Sequence, residues 1–151
     1  MAKPYFAYGS NMDERGMRLQ CPSSCCLGPA HLDGHRLAFT RRSVISGTGV
    51  ADVVPALHRR VWGLLYELSD GDLDTLDRKE GRGWAYTRVQ KRITLIADGS
   101  RHDAILYTVL AKEQSEVPPS SEYLDRLIAA AAHNAFPQDY VAMLEAIRPD
   151  A

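Results

Sequence analysis

Cysteine, net charge and long apolar runs are all in short supply in this 151-residue chain, and each shortage removes a class of protein. Cys21, Cys25 and Cys26 are odd in number and crowded together, which suits reduced thiols better than a disulfide framework. Adding His31 and His35 produces no standard zinc spacing, and adjacent cysteines on a strand point to opposite faces, so no metal is expected. Lys and Arg number 18 against 19 Asp and Glu, a formal net charge of -1, which provides no basic patch for nucleic acid or an anionic membrane. Arg41-Arg42 and Arg59-Arg60 are pairs, read as solvated strand ends. No apolar run approaches the roughly 20 residues that a membrane helix needs, and no signal-peptide h-region opens the chain. The expectation is a cytoplasmic protein with neither a nucleic-acid nor a membrane partner.

What is present suits one ordinary core: 45% hydrophobic and 25% charged residues. No repeat, low-complexity tract or composition shift divides residues 1–151, so one domain is expected. Tyr5 to Tyr8 reads as a strand, because aromatic side chains suit a pleated, half-buried surface, and Pro4 limits it on the N-terminal side. Gly9 lets the chain turn. Ser10 or Asn11 can cap a helix over Asp13 to Leu19, with Asp13 and Glu14 in its first turn. Such a corner leaves amides without intrahelical partners, a natural seat for a carboxylate or a developing oxyanion. An ordinary strand-to-helix turn accounts for the same residues.

Cys25 to Ala30 begins a β region; Asp33-Gly34 is a hairpin signal with Arg36 to Thr40 as the return strand. Ser43 to Gly49 is a loop. Ala51 to Leu57 and Val61 to Leu68 are strands separated by His58-Arg59-Arg60, and the second, apolar on both faces, reads as central. Gly63 at its middle marks either a close backbone approach or a bend. Ser69 or Asp70 caps a helix striped by Leu73 and Leu76, with Asp74 and Asp77 on its solvated side. Trp84 to Ile96 and Ala104 to Leu110 are strands joined across Asp98-Gly99. After a polar linker over Glu113 to Pro119, Ser120 or Ser121 opens one helix and Pro137 another. Strands without βαβ alternation, beside short helices, predict an α+β fold whose strands close into a small mixed barrel.

Glu80 ends the Leu73–Leu76 helix, just before the C-cap glycine Gly81. A carboxylate against the negative end of the helix dipole gains basicity and costs stability. Read from the residues alone, it is more simply an exposed glutamate satisfied by Lys79 and Arg82.

Tyr8-Gly9-Ser10-Asn11-Met12 after an aromatic strand resembles the signature of the gamma-glutamylcyclotransferase superfamily. Val61-Trp62-Gly63-Leu64-Leu65-Tyr66, then Leu76-Asp77-Arg78-Lys79-Glu80-Gly81, then Pro118-Pro119-Ser120 to Tyr123-Leu124 and Pro137-Gln138-Asp139-Tyr140 resemble its further landmarks in order. The resemblance implies a small barrel flanked by helices with the pocket at its mouth. It implies conversion of a γ-glutamyl amino acid or amine to 5-oxoproline, without cofactor or metal. The family's proton acceptor falls on Glu80. Its glutamyl-holding loop falls on Tyr8, Gly9, Ser10, Asn11 and Met12, and family tyrosines near the ligand fall on Tyr107 and Tyr123. The short Ser43 to Val50 loop departs from the family pattern, which leaves the leaving amine open among amino acids, γ-glutamylamines and glutathione. A binding module for a γ-glutamyl metabolite and an interaction scaffold are the competing classes, and the expected assembly is a monomer or homodimer.

Overall fold

The computed structural model describes residues 2–150. Strands β1 (Lys3–Ala7), β2 (Cys25–Arg42), β3 (Gly49–Leu68), β4 (Tyr86–Leu95) and β5 (Arg101–Val109) close into a barrel in the spatial order β1-β3-β2-β4-β5. Every pairing is antiparallel except β1 with β5, so the barrel is mixed. Helices α1 (Glu14–Gln20), α2 (Asp70–Glu80), α3 (Ser121–His133) and α4 (Gln138–Glu145) accompany it, making the expected α+β fold. Among the described residues no helix is long and apolar enough to cross a membrane.

β3 is central, as its two-faced apolar pattern predicts: it pairs with β1 on one edge and β2 on the other. Leu64, Leu65 and Leu68 are fully buried on it. Gly63 is required by a close approach, since a Cβ there would lie 2.2 Å from the Ala7 carbonyl oxygen and 2.8 Å from the Phe6 ring.

The Asp33-Gly34 hairpin is not formed. β2 runs through it as one 18-residue strand, and the register against β3 slips between Asp33 and His35. Gly34 and His58 both adopt positive φ, 74° and 60°, on the two facing strands. A glycine that can reverse a chain can equally take up a bulge, and here the 20-residue β3 supplies a pairing partner on both sides of the kink. For the same reason His58-Arg59-Arg60 lies within β3 and does not divide it. The chain reverses in the Ser43–Thr48 loop, closed by the Arg42–Gly49 pair.

Elsewhere in the chain the expected caps and turn form. Ser69 Oγ accepts the Asp72 amide at 3.1 Å, Ser120 Oγ accepts the Tyr123 amide at 3.1 Å, and Gly81 ends α2 at φ 63°. At Asp98-Gly99 the Asp98 carboxylate accepts the Ser100 amide at 2.9 Å, turning β4 into β5. The polar linker is laid along β2: Glu113 and Val117 donate to the Thr40 and Phe39 carbonyls, and the Gly49 amide donates to Pro118.

One buried charge ties these strands together. Asp52 on β3 is fully buried and accepts from Thr40 Oγ1 at 2.7 Å, Thr108 Oγ1 at 2.6 Å, the Val109 amide at 3.1 Å and Lys112 Nζ at 2.6 Å. Removing one member of such a pair strands the others without partners. Asp52→Ala is expected to lower stability by about 3–5 kcal/mol, measured by urea unfolding; a loss below 1 kcal/mol would show that these strands do not depend on it.

Candidate active site

The barrel mouth holds a cavity of about 160 Å³ in which the Gly9 corner, the end of α2 and the start of α3 converge. Of the residues singled out in the sequence, Tyr8, Gly9, Ser10, Asn11, Glu80, Tyr107 and Tyr123 all line it. Met12 does not: its side chain is buried in the core, 3% exposed, and it borders a separate groove. Met12 closes the one-turn 3₁₀ helix (Ser10–Met12), about two-thirds of a turn on from Ser10, so the five-residue motif cannot present every member to one side.

Neither Ser10 nor Asn11 caps α1. The residue before α1 is Asp13, without a side-chain cap bond, and the 3₁₀ turn separates the corner from the helix. Asn11 is used inward instead. Its Nδ2 donates to Tyr5 Oη at 2.9 Å and to Glu80 Oε1 at 3.3 Å, while its Oδ1 accepts from Lys79 Nζ. Tyr66 Oη donates to the Asn11 carbonyl at 3.3 Å, anchoring the residue from below. Among the described residues the amides of Gly9, Ser10 and Asn11 have no backbone acceptor, so the corner retains free donors at the cavity wall.

Glu80 reaches the cavity because α2 stops there. The Gly81 amide returns to Arg78 O and the Arg82 amide to Asp77 O at 2.9 Å, closing the last turn under a left-handed glycine. Its carboxyl is held above the usual glutamate range. Burial is the main cause, opposed by Lys79, by the Asn11 hydrogen bond and by Arg41. Burial is therefore the principal source of its basicity. Arg82 does not satisfy Glu80 either: it pairs with Asp77 at 3.1 Å.

Asp77 is not on the solvated side. Arg88 grips it through two nitrogens at 2.8 and 2.6 Å, and Tyr107 Oη donates to it at 2.7 Å. Burial works against its charge, yet the bonds from Arg88, Tyr107 and Arg82 together hold the carboxyl below its usual range. α2 is thus pinned to β4 and β5 one turn before Glu80. Tyr8 Oη, just past the end of β1, donates to the Tyr107 carbonyl at 2.6 Å, linking the corner to the same wall. Across the cavity Tyr123 Oη accepts the Ala51 amide at 3.1 Å, and Tyr86 Oη donates to the Ala51 carbonyl at 3.0 Å. Burial pushes the Tyr123 hydroxyl up to about 12 and likewise raises those of Tyr5 and Tyr8, so all three remain neutral donors and acceptors.

Tyr5, Tyr86, Arg41 and Lys79 also line the cavity and were not selected from the sequence as site residues. Lys79 carried a signal, its adjacency to Glu80, although its bond goes to Asn11. Arg41 carried none, because it meets Glu80 only across the closed barrel.

A barrel with one basic carboxylate and free amides around an amino-acid-sized cavity defines a small-molecule pocket protein. The chain belongs to the AIG2-like family, whose model matches residues 60–144. It is similar to the gamma-glutamylcyclotransferase of Homo sapiens, 27% identical over 97% of this chain and 79% of that protein. The enzyme of the same name from Mus musculus is 28% identical over the same shares. A solved structure named gamma-glutamyl cyclotransferase superposes with a TM-score of 0.90 at 25% identity, covering 99% of this chain and 90% of that one. The resemblance read from the motifs thus extends through nearly the whole chain.

The Asp77 anchor makes a testable claim. Asp77→Asn is expected to cost about 1–3 kcal/mol in denaturant unfolding at pH 7. Because the folded pKa is depressed, that deficit is present above the ordinary 3.8 and closes as pH falls through the lower folded value. A deficit independent of pH would remove the charge from the explanation.

Proposed function

We propose that this protein is a gamma-glutamylcyclotransferase-type enzyme, converting a γ-glutamyl amino acid or amine to 5-oxoproline and the free amino acid or amine. The observation that carries the reading is Glu80: a carboxylate made more basic by burial, hydrogen-bonded to the same Asn11 that belongs to the free-amide corner. The similarity to enzymes of that name over nearly the whole chain supports it independently.

In this reading the glutamyl group occupies the cavity, with its α-carboxylate or the developing oxyanion at the Gly9–Asn11 amides. A cavity of about 160 Å³ suits one amino-acid-sized group. The α-ammonium cannot attack while protonated, so Glu80 first accepts its proton. The amine nitrogen then forms a bond to the γ-carbonyl carbon, closing a five-membered ring. The bond to the leaving nitrogen breaks as the proton held by Glu80 passes to it, and the second proton, shed by the ring nitrogen as it becomes the lactam N–H, is taken by Glu80 in turn and leaves with the departing amine as its ammonium. Nucleophile and carbonyl belong to one molecule, so positioning supplies much of the acceleration. The reaction balances without a cofactor. Tyr8, Tyr107 and Tyr123 shape the cavity, and Tyr5 fixes Asn11.

Glu80→Gln keeps the shape and the Asn11 acceptor while removing the base. It is expected to fold normally and to lose 5-oxoproline release from γ-glutamyl substrates by at least about 100-fold. Wild-type activity should fall on acidification along a limb lying above the 4.5 of an ordinary glutamate, because only ionised Glu80 accepts the proton. Full activity in the variant, or an acid limb below 4.5, would move the proton acceptor elsewhere.

Gly9→Val tests the corner. A Cβ at Gly9 would already lie 3.4 Å from Tyr123 Oη and 3.6 Å from Ala51 Cβ, so valine's methyls enter the cavity. Binding of a γ-glutamyl ligand by calorimetry is expected to weaken at least about 10-fold; unchanged affinity would count against the corner as the ligand seat.

A further inference from the structure

Asn11 holds Glu80 through a side chain that could face either way. Tyr66 fixes its backbone by donating to the Asn11 carbonyl, but the two ends of a carboxamide have nearly the same shape, and only their partners decide which end faces which. Three groups meet this amide. Tyr5 Oη and Glu80 Oε1 take bonds from Nδ2 at 2.9 and 3.3 Å, and Lys79 Nζ donates to Oδ1.

Two of the three fix no orientation by themselves. A phenol donates as readily as it accepts. Glu80 demands the amide nitrogen only while ionised; once protonated it can donate, and then it suits the amide oxygen equally well. In the reaction above it takes up a proton twice in each turnover. At those moments a reversed Asn11 could accept from Tyr5 and Glu80 together, holding the transferred proton on Oε1 against the buried amide. Oε2, by contrast, has no partner among the described residues and is left to the cavity that Glu80 lines. Lys79 is the partner that differs, because an ammonium donates and cannot accept. It permits one orientation of Asn11 whatever the charge on Glu80.

We propose that Lys79 is a positioning residue for the reaction: it locks the Asn11 carboxamide through both protonation states of Glu80, so that the proton travels on Oε2, within reach of the substrate nitrogens. This inference rests on the cyclotransferase reading above. Lys79 makes no ion pair with Glu80 among the described residues, so its direct contact with the site is through Asn11. Its residue is exposed on α2, and replacing it removes no core packing. Water, which would take the place of the ammonium, can donate or accept and fixes neither orientation.

The test measures 5-oxoproline release against pH for wild type, Lys79→Met, Lys79→Arg, Asn11→Ala and the Lys79→Met/Asn11→Ala double variant. The substrate is whichever of γ-glutamyl-alanine and γ-glutamyl-ethylamine wild type turns over faster. On the plateau above the acid limb, Lys79→Met is expected to lower kcat at least about 10-fold with KM little changed. Lys79→Arg, which also only donates, recovers most of that loss. In the Asn11→Ala background Lys79→Met costs less than about 2-fold more, because an orientation already lost cannot be lost again. The acid limb of Lys79→Met also moves to higher pH: ionised Glu80 loses a nearby cation, while Arg41 on β2 still faces it and Tyr5, Tyr8, Tyr86 and Tyr123 stay neutral. Arg126 on α3 and Asp13 before α1, which face Lys79, are the same in every variant. A plateau kcat equal to wild type, with only the limb displaced, would make Lys79 a bystander charge. An undiminished further loss in the Asn11→Ala background would show that it acts without Asn11. Either result overturns the inference while the cyclotransferase reading stands, and if Asn11→Ala does not fold, the plateau kcat of Lys79→Met against Lys79→Arg decides alone. No release by wild type from either substrate overturns both.

Discussion

Asp52 is the constraint on which the rest of this structure depends. A full charge inside a barrel is tolerable only when every lone pair is used, and here β2, β5 and the segment after β5 each send donors to it. That convergence fixes the β3 backbone at the preceding residue, Ala51. Ala51 in turn presents its amide to Tyr123 and its carbonyl to Tyr86, so one wall of the cavity is built outward from a buried carboxylate. A charge that does not line the cavity thus orients two of the side chains that do.

The opposite wall uses the same device. Asp77, gripped by Arg88 and Tyr107, holds α2 against β4 and β5, and the glycine that ends the helix leaves Glu80 facing the mouth. The two carboxylates sit one helical turn apart and are driven in opposite directions. Asp77 is surrounded by donors and held ionised, whereas Glu80, half-buried, has weaker compensation and is made more basic. Separation of that kind distinguishes a structural acid from one available for proton transfer. Asn11 completes the arrangement by bridging Tyr5, Lys79 and Glu80, so the corner and the carboxylate cannot move independently.

The site closes only because the barrel does. β1, which carries Tyr5 and leads directly into Tyr8, pairs with β3 on one side and with β5 on the other. Gly63 permits that closure, since any Cβ would collide with Ala7 and Phe6. The long kinked hairpin of β2 and β3 brings Arg41 and Ala51 to the same rim as Glu80, although Arg41 and Glu80 lie far apart in the chain.

How much of this was legible in advance follows from the range of each interaction. Local chemistry was legible: the serine caps of α2 and α3, the Gly81 stop, the Asp98-Gly99 turn and the central character of β3 depend on residues a few positions apart. The motif order also pointed to a barrel and to Glu80 with the Gly9 corner, seven of whose eight named residues come together at one cavity. Three readings turned out differently because they required knowledge of a partner. Asp33-Gly34 bends and does not reverse, since β3 runs long enough to pair beyond it; Asp77 is bound and not solvated, since Arg88 and Tyr107 arrive from other strands; Met12 turns into the core. The sequence by itself determined the strand and helix content, the caps and the residue types at the site. Only the tertiary structure decided which charges are buried, which are paired and which are left free, because those depend on contacts between residues distant along the chain.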